Sequence, residues 1–129
     1  MKKLVFAYLV VLMGICFSTG AYAGGNQGVI KNITVFYNES DASFNAHGWV
    51  AFGRPNDSPA SCASSVSSTG YFYFRLDNEP GKAIYNALLS AKMTNEIVRV
   101  VGAERCEESR PIGAMMEVIG SVSIGEFDL

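Results

Sequence analysis

A single helical pattern between two strand patterns, in residues 71–106, constrains the fold more than any other part of the chain. Four consecutive aromatic residues begin the first strand, predicted over residues 71–76. The second strand is predicted at residues 97–102, shortly before Cys106. The rest of the chain has the pattern of strands and turns. Few fold architectures combine several strands with a single helix, so the possible folds are limited.

The helix itself is predicted over residues 82–93. Pro80 lies in the first turn, where the missing N–H of proline is not needed. Asn78 or Glu79 can cap the helix, and the acidic residue suits the positive end of the helix dipole. Apolar residues recur at helical spacing and define one buried face: Ile84, Leu88 and Ala91.

Residues 1–23 are predicted to be a signal peptide. Lys2 and Lys3 form a short basic start, and residues 4–17 are an apolar run that is short for a bilayer span. The triplet Ala21-Tyr22-Ala23 matches the small-x-small cleavage pattern, so we expect cleavage after Ala23. A retained membrane anchor is the alternative. After removal of the signal peptide, we expect a secreted or periplasmic location.

Residues 24–129 are then predicted to form a single domain. The loss of Lys2 and Lys3 leaves eight basic side chains against 12 acidic ones, a formal net charge of −4. There is no basic cluster, which binding to nucleic acid requires, so no nucleic-acid partner is expected. The mature chain has no further apolar stretch long enough for a membrane span.

The cysteines predict a disulfide bond. Cys16 leaves with the signal peptide, although a lipid anchor at this position is an alternative, and Cys62 and Cys106 remain. In an oxidising compartment these two should pair. The alternatives are a metal site and a redox pair. With His47 as the one histidine and no C-x-x-C spacing, neither is favoured, and we expect no cofactor and no metal.

The chain in order predicts three strands, one helix and two strands. Besides those above, strands are predicted at residues 29–37, 43–52 and 115–124, with a loop at 106–113. In the last strand four residues are expected to share a face: Met116, Val118, Val122 and Ile124. The fold class is therefore mostly β with one helix. The order β-β-β-α-β-β favours a five-stranded OB-fold-like barrel over an open antiparallel sheet covered by the helix.

No catalytic constellation is visible, and we do not expect an enzyme. His47 has no partner at a suggestive spacing, and we expect it at an exposed strand position. In the aromatic run of residues 71–74, two side chains face each way, so one pair belongs to the core. The other pair, for which Tyr71 and Tyr73 are the candidates, could present a stacking surface to a ligand.

The stretch of residues 81–92, GKAIYNALLSAK, followed by a strand and Cys106, resembles the B subunits of subtilase-cytotoxin-like AB toxins. The resemblance extends over residues 71–124. It implies a bacterial source, a ring of five OB-fold subunits with the helices at its centre, a cell-surface glycan as ligand and an A subunit as partner. The family uses a serine of the first strand for sugar binding. This chain has Lys31 or Asn32 there, which are the corresponding candidate ligand-binding residues.

We therefore expect an exported, non-catalytic binding subunit that forms a homo-oligomer, a pentamer if it is toxin-like. The predicted oligomer contact is the helix face with Tyr85, Leu89 and Lys92, because large residues there have no evident use in a monomer. The alternative is a stand-alone exported domain that binds or inhibits another protein.

Overall fold

The computed structural model describes residues 23–37 and 46–125. Apart from Ala23, the predicted signal peptide lies outside these residues. The elements in chain order are β1 (Gly25–Phe36), β2 (His47–Phe52), a short 3-10 helix (Ser67–Thr69), β3 (Tyr71–Arg75), α1 (Glu79–Thr94), β4 (Ile97–Ser109) and β5 (Ala114–Ile124). The protein is mostly β with one α-helix, as predicted. The order of elements differs from the predicted one by the 3-10 helix between β2 and β3.

The five strands close on themselves in the order β1-β2-β3-β5-β4, and β4 pairs back onto β1. Every pair is antiparallel except β3 and β5, which run parallel and meet at Tyr73 and Val118. Closing the sheet in this way satisfies the backbone groups that an edge strand would leave unpaired.

Helix α1 packs against β1, β3 and β5 through the apolar face that its sequence predicts. Leu88 and Ala91 are fully buried, and Ile84 is partly buried against the same core. The Asn78 side chain accepts a hydrogen bond from the backbone N–H of Gly81 at 2.8 Å and so caps the first turn. At the other end Asn95 adopts a left-handed conformation (φ 57°), which ends the helix.

The main core lies between the inner face of the strands and α1. Its fully buried aromatic residues are Phe72 and Phe74 of β3. A second apolar cluster lies on the opposite face of β2 and β3, where the hairpin of β4 and β5 covers it. It contains Trp49, Tyr73, Ala114, Met116 and Val118.

The prediction of a loop at residues 106–113 is wrong for residues 106–109, which belong to a strand. Strand β4 continues to Ser109, and Cys106 to Ser109 pair with Glu117 to Ala114 of β5. The polarity of this stretch suggested a loop. However, pairing of backbone groups does not depend on apolar side chains, and the charged side chains of Glu107 and Glu108 are at least partly exposed.

The predicted common face of β5 is also interrupted. Met116 and Val118 belong to the second cluster, whereas Val122 packs against the main core. Between them the register of β4 and β5 shifts by one residue. Val101 pairs with Ser121 and Gly102 pairs with Ile119, so Gly120 is an extra residue on β5. One extra residue reverses the alternation of side chains along a strand.

The Cys62–Cys106 disulfide is present, which confirms the predicted pairing. It ties the irregular segment between β2 and β3 to β4, across a sequence separation of 44 residues. Closing a loop of this length stabilises the fold by about 4 kcal/mol in the chain-entropy model. No helix in the described part of the chain is both long and apolar enough to cross a membrane.

Two neighbouring leucines of α1 test how the helix packs. Leu88→Ala should lower the free energy of unfolding by roughly 2–5 kcal/mol, because Leu88 is fully buried in the main core. Leu89→Ala removes the same atoms at a site that is 37% exposed and should cost less than about 1 kcal/mol. Urea unfolding of both variants measures the difference. Equal effects would show that α1 is not docked through Leu88.

Candidate functional site

Three of the four predicted ligand-binding residues line one groove, which lies across β1, β2 and β3. Asn32 pairs with Ala51, and Ala51 pairs with Tyr71, so the three form a row across the sheet. Residues directly opposite each other in antiparallel strands project from the same face. Because alanine is small, the middle of this row is low and its two ends stand higher. The groove is about 270 Å³ in volume.

A β-bulge brings Lys31 to the same groove. Ile30 pairs with Phe52 and Asn32 with Ala51, so Lys31 is the extra residue on β1. Ile30 and Ile33 both pack on the main core, although strict alternation would place them on opposite faces. The bulge therefore leaves two consecutive polar residues, Lys31 and Asn32, exposed together.

Buried amides hold the Tyr71 end of the groove in place. The Asn56 side chain donates hydrogen bonds to the carbonyl oxygens of Tyr71 (3.2 Å) and Ser67 (3.3 Å). Asn26, at the start of β1, donates to Oδ1 of Asn56 at 2.8 Å. Both asparagines are buried, so these bonds are shielded from competing water. The network fixes the irregular segment between β2 and β3 against β1 and β3.

The groove offers four kinds of contact to a ligand. Lys31 supplies an ammonium group, Asn32 an amide, Thr69 a hydroxyl and Tyr71 a partly exposed aromatic ring. Sequence analysis missed Thr69, which reaches the groove through the 3-10 helix. Its Oγ1 donates to the carbonyl oxygen of Val66 at 2.6 Å, which leaves its lone pairs as acceptors. The set suits a small polar molecule with an apolar face.

Tyr73, the fourth predicted ligand-binding residue, lies outside the groove. It is two residues after Tyr71 on the same face of β3, but the β4–β5 hairpin covers it, and only 5% of it is exposed. Its ring stacks on His47, with ring centroids 5.0 Å apart. Burial, with a smaller contribution from the nearby Glu107 carboxylate, raises the pKa of Tyr73 to about 12.

His47 is buried, so the expectation of an exposed position is wrong. Its Nε2 accepts a hydrogen bond from the backbone N–H of Arg110 at 3.0 Å, and its ring lies among Phe36, Trp49 and Tyr73. A lone pair that accepts this bond is not available to remove a proton from a substrate. His47 thus positions the hairpin on β2. Within residues 23–37 and 46–125, no group of three or more His, Cys, Asp or Glu side chains could hold a metal ion.

The three residues of the predicted oligomer contact differ in exposure. The Tyr85 ring stacks on Phe74 at a centroid distance of 5.7 Å and packs against the main core of its own chain. Leu89 and Lys92 are exposed, and Met93 beside them is 79% exposed. The outward face of α1 therefore includes Leu89, Lys92 and Met93 but not Tyr85, and the role of this face in assembly stays a prediction.

The raised pKa of Tyr73 predicts a loss of stability at high pH. A tyrosine in the unfolded chain ionises near pH 10, whereas Tyr73 in the folded protein stays protonated to about pH 12. Over this range the unfolded state binds fewer protons, so stability falls as pH rises. Two pH units correspond to roughly 3 kcal/mol.

Comparison of the wild type with Tyr73→Phe isolates this effect. Between pH 10 and pH 12, the free energy of unfolding of the wild type should fall by roughly 2–3 kcal/mol more than that of the variant. Urea unfolding at a series of pH values measures the difference. The phenolate absorbance should also show one group fewer titrating near pH 12 in the folded variant, and parallel stability curves would contradict the assignment.

Comparison with protein-family models, with curated proteins and with solved structures finds no match to this chain.

Proposed function

We propose that this protein is an exported, non-catalytic binding subunit that binds a glycan in the groove of Lys31, Asn32, Thr69 and Tyr71. The observation that carries the proposal is that Tyr71, which is far from Lys31 and Asn32 in sequence, lines the same groove as these two residues. The disulfide is consistent with a secreted or periplasmic location, to which a signal peptide at residues 1–23 would direct the chain.

The chemistry of the groove favours a sugar over other small ligands. A sugar ring presents hydroxyl groups at its edge and C–H groups on its faces. Lys31, Asn32 and Thr69 can bind the hydroxyl groups, and the Tyr71 ring can stack on the apolar face. A volume of about 270 Å³ is small for a ligand site, which suits a single terminal sugar.

The proposed architecture is an OB-fold-like barrel, in which α1 closes one end. The closed strand order and the position of α1 between β3 and β4 support this assignment. In a toxin-like assembly five copies would form a ring and associate with an A subunit. Repetition of the groove on one particle would strengthen weak single-site contacts with cell-surface glycans.

The outward face of α1 supports assembly into a homo-oligomer. Leu89 and Met93 are four residues apart on the helix and therefore adjacent on its surface. Both are apolar and exposed, with Lys92 next to them. The same exposed apolar face also favours the second candidate function, a stand-alone exported domain that uses α1 to bind another protein. The two candidates differ in whether the protein associates with itself.

A glycan array probed with the purified mature protein tests the groove. We expect binding to a restricted set of terminal sugars, and Lys31→Ala should weaken it about tenfold or more, since a hydrogen bond to a charged group is lost. Lys82→Ala is the matched control, because this lysine is exposed on α1 and does not line the groove. Absence of binding to any glycan, or equal effects of the two substitutions, would contradict the proposal.

Light scattering of the mature protein tests the assembly. At micromolar concentration we expect the mass of a homo-oligomer, which Leu89→Asp should reduce by placing a charge in the contact. Ala83→Asp, at an exposed position about 120° around the helix axis from Leu89, should leave the mass unchanged. A wild-type mass equal to that of one chain would rule out the ring and favour the stand-alone binding domain.

A further inference from the structure

Glu117 carries a buried carboxylate on which three separate segments of the chain converge. It lies in β5 between apolar neighbours and is only 1% exposed. Its carboxylate oxygens accept hydrogen bonds from the backbone nitrogen of Gly24 at 3.0 and 3.1 Å, of Ala60 at 3.3 Å and of Glu104 at 3.2 Å. These nitrogens belong to the residue just before β1, to the segment between β2 and β3, and to an irregular part of β4.

The Glu117 site lacks a positively charged side chain. Among residues 23–37 and 46–125, no lysine, arginine or histidine forms an ion pair with Glu117. Removing an ionised carboxylate from water costs several kcal/mol unless a cation compensates its charge. Backbone N–H groups supply only partial charges. The surroundings of Glu117 are therefore those of an anion whose counter-ion does not come from a side chain of the described residues.

Glycine at positions 24 and 102 leaves room for the Glu117 carboxylate beside the backbone. A Cβ atom at position 24 would overlap Oε2 of Glu117, and a Cβ atom at position 102 would overlap Oε1. Glycine at these positions therefore lets the carboxylate lie directly against the backbone. As a result, the nitrogen of Gly24 is within hydrogen-bond distance of both oxygens at once.

The nitrogen of Gly24 is also the atom that the predicted processing would release. The Ala21-Tyr22-Ala23 triplet predicts cleavage of the bond between Ala23 and Gly24. We propose that the new N-terminal ammonium group of Gly24 is the counter-ion of Glu117, and that removal of the signal peptide completes the folded core by forming this buried ion pair.

The chemical step is hydrolysis of one amide bond by a leader peptidase. One water molecule is consumed, the new carboxylate leaves on Ala23, and Gly24 keeps the amine. At neutral pH most α-amino groups take up a proton, since their usual pKa is about 7.7–8.0. The neutral amide N–H of the precursor thus becomes an ammonium group at the same place, and its bonds to Glu117 become charge-assisted on both sides.

The position of Ala23 allows the charge on the Gly24 nitrogen to be tested separately from the packing around Glu117. Ala23 is partly exposed and lines an open surface cavity of about 530 Å³. A residue before Gly24 therefore fits the fold, and it alters the nitrogen of Gly24 without filling the space around Glu117. The precursor should reach the same fold as the mature chain but with lower stability.

The test compares the mature protein with a variant in which one alanine is inserted between Ala23 and Gly24. Each full-length chain is exported from a bacterial host, and intact mass identifies its N-terminus. We expect Gly24 to be the first residue of the wild type. In urea unfolding, the insertion should raise the equilibrium constant for unfolding roughly ten- to a hundredfold, because the charge-assisted bonds to Glu117 are lost.

Two further variants show whether the effect belongs to Glu117. In a Glu117→Gln background the insertion should change the equilibrium constant by less than about twofold, since the two groups act as a pair. Glu104→Gln, an exposed glutamate in the adjacent part of β4, should leave the effect of the insertion intact. An equally large effect of the insertion in the Glu117→Gln background, or no effect in the wild type, would overturn the proposal.

Amine labelling provides a measurement that does not require the Glu117→Gln variant to fold. In the native wild type, an acylating reagent should modify the Gly24 amine at least about tenfold more slowly than in urea. The inserted alanine should be modified at similar rates in both conditions, and the exposed Lys82 serves as internal reference. Equal rates for Gly24 in native and unfolded protein would overturn the proposal.

The inference rests on the export part of the proposed function and is independent of glycan binding. A chain whose first residue is not Gly24 would contradict the ion pair, whatever the glycan array shows. Conversely, a negative glycan array would leave the ion pair unaffected.

Discussion

The convergence of backbone nitrogens on the Glu117 carboxylate is the constraint on which much of this structure depends. It joins the residue just before β1, the irregular segment before β3 and the interrupted part of β4. The Cys62–Cys106 disulfide joins two of the same regions covalently. The polar centre at Glu117 and the disulfide thus add to the Asn26–Asn56 network in holding the long irregular segment against the closed sheet. If the Gly24 ammonium group is the counter-ion, maturation of the chain and completion of this centre are one event.

The groove shows how a local irregularity can create a surface site. Without the bulge at Lys31, strict alternation would send Lys31 and Asn32 to opposite faces of β1. With it, both are exposed at the β1 end of the row across the sheet, with Ala51 between them and Tyr71. The buried pair Asn26 and Asn56 then fixes the Tyr71 side against β1. The candidate ligand contacts therefore rest on a rigid support, although two of them come from a bulge and a short 3-10 helix.

Strand β3 divides its aromatic residues between two environments. Phe72 and Phe74 face the main core, while Tyr71 and Tyr73 face the other side. Period-two alternation could predict this division into pairs. It could not distinguish Tyr71, which remains partly exposed in the groove, from Tyr73, which the β4–β5 hairpin covers. That difference arises because Cys106 to Ser109 extend β4 as a paired strand instead of forming a loop.

Local sequence patterns determined the elements whose stability is local: the apolar face and caps of α1 and the strand at Tyr71. The disulfide could also be predicted, since Cys62 and Cys106 are the two cysteines outside the predicted signal peptide. Glu117 interrupts an apolar run, but sequence analysis did not single it out, because nothing near it in sequence indicates a partner. Tertiary structure decided the bulge at Lys31, the shift at Gly120 and the contacts of Glu117. The physical reason is that each depends on pairing between strands distant in the chain, where one extra residue changes which side chains face inward.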